Sequence, residues 1–205
     1  MSETTMIALL DNGQDLDECA AEIGCDVGQL LTPLTRYKLR NPAAPWAIDN
    51  GFFAQAEIKA WLSLLEREKH HAKKCLFVTL PDVVGSARRT LEVFEHWRRR
   101  EELRIWPRAL VCQDGQEHLP IPWDDISAVF IGGSTNWKCG EHAIHIIKAA
   151  KALQKWVHVG RVNGPERWEH FEKLGADSAD GTGLARYSHM RKAIANRSQQ
   201  EKLFA

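Results

Sequence analysis

Short apolar segments alternate along this chain with segments of helical periodicity, and this alternation constrains the fold more than any other feature. In 86–103, for example, Leu91, Phe94 and Trp97 fall on one face of a helix and form an apolar stripe. The predicted helices are 86–103, 139–154 and 164–175. The β-branched segments between them predict strands at 45–49, 75–82, 108–114, 126–133 and 155–161, at 175–180, which is less apolar, and at 5–10 as an additional strand.

The alternation of strands and helices predicts βα units and a parallel sheet that is buried on both faces. An open, doubly wound sheet would carry a glycine-rich phosphate loop after its first strand, and neither GxGxxG nor GxxxxGK[ST] occurs. The sequence therefore favours an α/β fold, a compact (βα) barrel of the TIM type that is complete or lacks some units, since 205 residues is short for such a barrel. No Pro/Ser-rich linker divides the chain, so we expect one barrel domain over 1–205, with 187–205 as a C-terminal helical tail.

The composition argues against several classes of protein. An apolar content of 44% and a charged content of 26% are typical of soluble globular proteins. No segment approaches the roughly 18 consecutive apolar residues that predict a membrane span, and the N-terminal segment lacks the basic region of a secretory signal. The five cysteines include no CxxC pair, and His142 and His145 have no third ligand at a suitable spacing. We therefore expect a cytoplasmic protein with reduced thiols and without a metal, a cofactor or a membrane partner.

The charge pattern leaves nucleic-acid binding open. The formal net charge is zero, which argues against a nonspecific binder of polyanions. Positive charge is nevertheless concentrated in 96–104 and 186–197. A solvated helix face explains each of these segments equally well.

Polar residues and glycines follow the predicted strands at the point where each strand ends. Because the carboxyl ends of the strands of a parallel barrel converge on one mouth, where such enzymes carry their catalytic groups, we expect these residues to lie together. Taken singly, Asp49 could be a turn former, Asp82 a helix cap and Asp177 a solvated neighbour of Asp180. The set as a whole exceeds what turns require and favours a catalytic site. It comprises Asp49, Asn50, Asp82, Gln113, Asp114, Gly132, Gly133, Ser134, His158, Gly160, Arg161, Asp177 and Asp180.

Four blocks of the sequence, in order across about residues 45–186, resemble segments of the tRNA-guanine transglycosylases. AIDNGFF (47–53) resembles their Asp-Ser-Gly-Gly-Phe segment, VCQDG (111–115) their Val-Gln-Gly-Gly segment, and FIGGS (130–134) their Gly-Gly segment. The run from VHVGRVNGP to GADSADGTGLAR (157–186) is similar to their MGVG…P…GVDMFDCV…R run. The chain is much shorter than those enzymes, and no cysteine follows Cys139 to form their zinc subdomain. It looks most like the compact, zinc-free, DNA-acting members of the superfamily, which include glycosylases that remove modified bases from phage DNA.

The resemblance implies roles for particular residues. Asp180 matches the nucleophilic aspartate of the family, and Asp49 matches its general acid/base. The implied base-reading residues are Gln113, Gly132 and Gly133, with Asp82 near a base-recognising carboxylate. A base that is flipped out of a duplex needs an aromatic surface, so we also expect stacking on Phe52 or Trp137. The expected contacts to flanking phosphates and nucleic acid are His158, Arg161 and Arg186.

These observations predict an enzyme that acts on an N-glycosidic bond. Our first expectation is a DNA glycosylase that excises a specific modified base, with antiphage defence as its setting. The alternatives are a base-exchanging transglycosylase that inserts a 7-deazaguanine-type base into DNA or tRNA, and a noncatalytic barrel that binds nucleic acid. The expected partner is DNA, and tRNA is a further expected partner for the transglycosylase alternative.

Overall fold

The described residues form a closed barrel of eight parallel strands. The computed structural model describes residues 5–11, 13–35, 37–52 and 56–204, with side chains to residue 197. The strands pair in chain order, and the first strand also pairs with the eighth, which closes the ring. This confirms the predicted compact α/β barrel of the TIM type and shows that its ring is complete. The strands are β1 (Ile7–Leu10), β2 (Val27–Leu31), β3 (Trp46–Ile48), β4 (Val78–Thr79), β5 (Arg108–Cys112), β6 (Ala128–Ile131), β7 (Trp156–Val159) and β8 (Ser178–Ala179).

α-Helices follow six of the eight strands and cover the outside of the barrel. No helix is described between the second and third strands, and only short 3-10 turns follow the fifth. Local signals mark where several of the helices begin. The Asp15 carboxylate accepts hydrogen bonds from the backbone N–H groups of Asp17 and Glu18 at 2.8 and 3.0 Å, and Ser86 caps the helix Ala87–Trp97 in a similar way. Pro165 occupies the first turn of the helix Pro165–Lys173. No helix in the described part of the chain is long and apolar enough to cross a membrane. The helices are α1 (Leu16–Ile23), α2 (Ile58–Glu68), α3 (Ala87–Trp97), α4 (Thr135–Lys138), α5 (Glu141–Ala152), α6 (Pro165–Lys173), α7 (Thr182–Arg186) and α8 (Ser188–Phe204).

Strand β2 was not predicted from the sequence, and its residues explain why. Val27–Leu31 has one β-branched residue, Val27, and it is followed by Gly28, which is a poor strand former. The glycine is required by the neighbouring strand. A Cβ at position 28 would overlap the carbonyl oxygen of Pro45 and lie 2.7 Å from Leu9 Cδ2. The strand is therefore specified by its fit between β1 and β3.

The barrel interior and the space between strands and helices hold separate apolar clusters. Outside the strands, Trp61 packs edge-on against Trp97, with ring centroids 5.5 Å apart. Inside the ring, the imidazole of His158 lies between Phe77 and Phe130, with centroids 4.8 and 4.7 Å away. The interior cluster comprises Leu9, Leu30, Ala47, Phe77, Ala109, Val111, Ala128 and Phe130. A filled interior of this kind confines ligand binding to the ends of the barrel.

The basic segment 96–104 lies at the end of the barrel where the strands begin. Arg98 binds the carboxylate of Asp125, which precedes β6, at 2.9 Å. Arg108, the first residue of β5, donates a hydrogen bond to the carbonyl oxygen of Arg98 at 2.8 Å. This segment is therefore remote from the mouth formed by the carboxyl ends of the strands.

The second basic segment, 186–197, belongs largely to α8, which packs against α1 and α6. Arg191 is buried and donates a hydrogen bond to Glu22 of α1 at 2.6 Å. Arg197 forms an ion pair with Glu169 of α6. These charges hold the last helix in the outer layer, so most of them are committed to the fold.

Candidate active site

A cavity opens at the carboxyl ends of four adjacent strands, β8, β1, β2 and β3. Its volume is about 140 Å³. This is close to the roughly 150 Å³ of an engineered cavity that accepts a benzene molecule, so one planar ring or one sugar fits. Three carboxylates face it from different strand ends, which is the position of catalytic groups in barrels of this type. The lining residues are Leu9, Asp11, Leu30, Thr32, Asp49, Asp180, Gly181, Thr182, Ala185 and Arg186.

Asp180, just after β8, is held on both of its oxygens. Its Oδ2 lies 2.9 Å from Nε2 of His158, and its Oδ1 accepts a hydrogen bond from the backbone N–H of Arg161 at 3.0 Å. Ser178 Oγ lies 2.8 Å from Nδ1 of His158 and accepts a hydrogen bond from the indole N–H of Trp156 at 2.9 Å. The indole can only donate, so the serine hydroxyl proton is free to point at Nδ1, and in that arrangement the imidazole donates from Nε2 to Asp180. The Asp180 carboxyl group is therefore fixed in orientation by contacts on both oxygens.

His158 is fully buried inside the ring. We expected it to contact nucleic acid, but its two ring nitrogens face Asp180 and Ser178. This geometry favours a role in positioning the Asp180 carboxylate.

Arg161 adopts a left-handed backbone conformation, with φ of 60°. For a residue with a side chain this costs about 1 kcal/mol or more and often marks a functional site. The turn directs the Arg161 N–H at Asp180, while the guanidinium donates to the carbonyl oxygens of Gly132, at 3.4 Å, and Gly133. The arginine that we expected to bind phosphate therefore ties the end of β6 to the end of β7, next to the site.

Asp49, just after β3, has the properties of a proton-transfer group. The hydroxyl of Thr79 accepts the backbone N–H of Asn50 at 2.7 Å and donates to Asp49 Oδ1 at 3.0 Å. Burial raises the pKa of Asp49 to about 7, and the charges of Asp180 and Asp82 act in the same direction against the Thr79 hydrogen bond. A carboxyl group with a pKa near neutrality can both donate and accept a proton at physiological pH.

Asp82 and Gln113 form a network outside the cavity lining. Gln113 Nε2 donates to Asp82 Oδ2 at 2.5 Å, and Asn50 Nδ2 donates to Asp82 Oδ1 at 2.9 Å. The Gln113 side-chain oxygen accepts the backbone N–H of Gly85. Burial raises the pKa of Asp82. Both residues stand at the mouth, but their polar atoms are used by each other and by the loops. Their role in reading a base stays a prediction.

The remaining predicted contacts are distributed differently around the mouth. Arg186, in α7, is exposed at the edge of the cavity. Phe52 is partly exposed after β3, where its backbone N–H donates to Asn50 Oδ1 at 2.8 Å. Trp137 is buried in α4 and donates its indole N–H to Glu117 at 2.8 Å, so its ring is already packed.

Asp177 stands at the opposite end of β8 from Asp180. It pairs with Lys151 at 2.6 Å and accepts the backbone N–H of Val157 at 2.7 Å. It therefore stabilises the fold at the end where the strands begin and takes no part in the cavity.

Two charged residues near the site were not predicted from the sequence. Asp11 follows β1 and lines the cavity. The rule that strands end on polar groups could have identified it, since the sequence predicts a strand at 5–10. Lys138, in α4, is 1% exposed and donates to the carbonyl oxygen of Gly160. Burial lowers the pKa of Lys138 to about 8, and the charge of Arg161 acts in the same direction. Nothing in the local sequence distinguishes Lys138 from a surface lysine.

Within the ranges that the structure describes, no group of three or more His, Cys, Asp or Glu side chains is placed to hold a metal ion. Asp180 and Asp49 each accept hydrogen bonds from groups of the protein.

Comparison with known proteins adds to the assignment of the fold. No family model and no curated protein matches the sequence. Among solved structures, the chain is similar to phosphoribosyl anthranilate isomerase from Thermus thermophilus, with 14% identity, coverage of 96% of this chain and 100% of that one, and a TM-score of 0.51. It is also similar to a chain of the Amycolatopsis orientalis BexX/CysO complex, with 14% identity, coverage of 98% and 90%, and a TM-score of 0.53. An aldolase, QR15, has 11% identity, coverage of 98% and 97%, and a TM-score of 0.50. At these identities the likeness concerns architecture, and this chain is a closed, eight-stranded α/β barrel of the TIM type.

Proposed function

We propose that this protein is a DNA glycosylase that cleaves the N-glycosidic bond of one specific modified base. The observation that carries the proposal is that two carboxyl groups in different environments line one cavity of about 140 Å³. Asp180 is held by hydrogen-bond donors from His158 and Arg161, whereas the pKa of Asp49 is raised to about 7. Two carboxyl groups whose environments separate their protonation states are the usual arrangement for cleaving a glycosidic bond.

The chemistry follows from the charges that develop as the bond breaks. The electron pair of the C1′–N bond leaves with the base, so positive charge appears on the sugar and negative charge on the base. The Asp180 carboxylate stabilises the sugar cation, and protonated Asp49 gives its proton to the departing base. A water molecule then adds to C1′ and loses a proton to Asp49, which restores the starting state. The products are the free base and an abasic site.

Exposed cations at the mouth fit a nucleic-acid substrate. Arg186 lies at the edge of the cavity, and Arg88 and Arg89 are exposed on the first turn of α3, which begins at the same end of the barrel. Contacts of this kind bind the phosphate backbone and leave base selection to the cavity. The resemblance of 45–186 to the transglycosylase superfamily supports the same substrate class.

The test is base release from a panel of DNAs, including phage genomes that carry natural base modifications, with bulk tRNA as a further substrate. Wild type, Asp180→Asn and Asp49→Asn would be compared by mass spectrometry of the released base and by alkali cleavage at abasic sites. Asp124→Asn is the matched control, because Asp124 is exposed and precedes β6, at the far end of the barrel.

Base release by wild type and by the control, with loss in both site variants, supports the proposal. Release that requires an added deazapurine base would identify base exchange instead. No release or exchange with any substrate would overturn the enzymatic proposal and leave a binding protein. Full activity of Asp180→Asn would reject the assigned mechanism.

A further inference from the structure

The carboxylate of Asp11 has an unused acceptor in the wall of the cavity. Asp11 follows β1, so it lies between Asp180 at the end of β8 and Thr32 at the end of β2. Its Oδ1 atom is buried and has no hydrogen-bond partner among the described residues. An acceptor withdrawn from water and left unpaired destabilises a folded protein, so such a group in a binding cavity points to a ligand donor.

Two neighbours of Asp11 favour its anionic form, although burial acts against it. Burial, which is the largest effect, and the charge of Asp180 raise the pKa of Asp11, and a hydrogen bond from the Thr35 hydroxyl and the charge of Arg186 oppose this rise. Asp180 is already held by His158 and Arg161. Of these two neighbouring carboxylates, Asp11 is therefore the one with an oxygen still available to a bound molecule.

We infer that Asp11 is a specificity residue that accepts a hydrogen bond from an amino or hydroxyl group carried by the base. The inference rests on the proposed function. Within a DNA strand the deoxyribose has no free hydroxyl group, because its 3′ and 5′ oxygens are esterified and its 2′ position carries none. The donor that reaches Asp11 must therefore belong to the base or to a substituent on it. A site built to pair such a donor discriminates strongly against a base that lacks it.

The experiment measures discrimination between matched free bases in the intact protein at constant pH. The probes are adenine against purine, cytosine against 2-pyrimidinone, and 5-hydroxymethyluracil against thymine, each titrated by ligand-detected NMR. For at least one pair, wild type should bind the donor-bearing base about tenfold to hundredfold more tightly, the range expected for a hydrogen bond to a charged acceptor. Asp11→Ala should bring that ratio close to one. Asp11→Asn, which keeps the shape and one acceptor oxygen, should give an intermediate ratio.

Asp124→Asn is again the control and should retain the wild-type ratio. A purely structural role for Asp11 would weaken both members of a pair equally and leave the ratio unchanged, which would overturn the inference. The absence of discrimination by wild type for every pair would overturn it as well. Should Asp11→Ala fail to fold, Asp11→Asn decides the question by the same ratio.

The base-release assay separates this inference from the proposed function. Loss of discrimination in the Asp11 variants, together with no base release from any DNA, would leave Asp11 as a base-binding residue and reject the glycosylase. Base release by wild type with an unchanged ratio in the variants would do the reverse.

Discussion

The raised pKa of Asp49 predicts a pH-dependent cost to stability that one substitution should remove. The ordinary pKa of an aspartate is 3.8, and that of Asp49 is raised to about 7. Between these values the folded state holds a proton that the unfolded state has released, so the free energy of unfolding falls as the pH rises from about 4 to about 7. A tenfold change in an acid dissociation constant corresponds to about 1.4 kcal/mol, so the roughly thousandfold change at Asp49 sets an upper limit of about 4 kcal/mol above neutral pH.

Asp49→Asn removes this ionisation while keeping an oxygen that can accept the Thr79 hydroxyl. The variant should therefore gain stability relative to wild type as the pH rises, by about 3 kcal/mol between about pH 5 and pH 8. Urea denaturation followed by tryptophan fluorescence measures the free energy of unfolding of both proteins across this range. Asp124→Asn is the control and should run parallel to wild type.

Parallel curves for Asp49→Asn and wild type from about pH 5 to pH 8 would refute the reasoning, since they would mean that Asp49 ionises equally readily in the folded and unfolded chains. The same variant should also lose base release. Greater stability together with lost activity is the pattern expected when a catalytic group is held in an unfavourable environment.

Three further predictions follow from the geometry. His158→Phe should fit between Phe77 and Phe130 but remove the hydrogen-bond donor to Asp180, which should lower kcat for base release by about tenfold to hundredfold. Circular dichroism should show that the secondary structure is retained, and an unchanged kcat would show that the hydrogen bond is unimportant. Arg186→Ala should raise KM for DNA and weaken the salt dependence of binding while kcat changes little, whereas an equal loss in kcat would place Arg186 in the chemical step. Gly28→Ala should lower the free energy of unfolding by at least about 1–3 kcal/mol, because the added Cβ overlaps Pro45. Gly164→Ala is the control, since a Cβ there would meet nothing within 4 Å, and it should lower the free energy of unfolding far less in the same urea titration.

The sequence was informative where the physical signal is local. The three predicted helices contain α3, α5 and α6, because apolar residues at helical spacing are visible within a few turns. The polar residues at the ends of the predicted strands also included Asp49 and Asp180, which line the same cavity in the structure. The resemblance of the surrounding blocks then assigned them distinct chemical roles, which the base-release assay tests.

Contacts between distant segments were decided by the tertiary structure. His158, Arg161 and Gln113 were each expected to contact a ligand, and each makes hydrogen bonds within the protein that the sequence did not indicate. Their contacts to a ligand stay predictions. Whether a strand-end side chain faces the cavity depends on the register of its strand and on what the adjacent loops offer. The burial of Lys138 was also decided by the tertiary structure, since the carbonyl oxygen that accepts its hydrogen bond belongs to the distant Gly160.

The sequence by itself determined a chain of βα units whose polar residues meet at one mouth. Amphipathic periodicity and strand ends are properties of neighbouring residues, so they can be seen without the fold. Only the tertiary structure decided which of these residues share a cavity. Closure of the ring places β8 beside β1, which brings Asp180 next to Asp11 and opposite Asp49 although they are far apart in the chain. That proximity adds the charge of Asp180 to the burial that raises the pKa of Asp49.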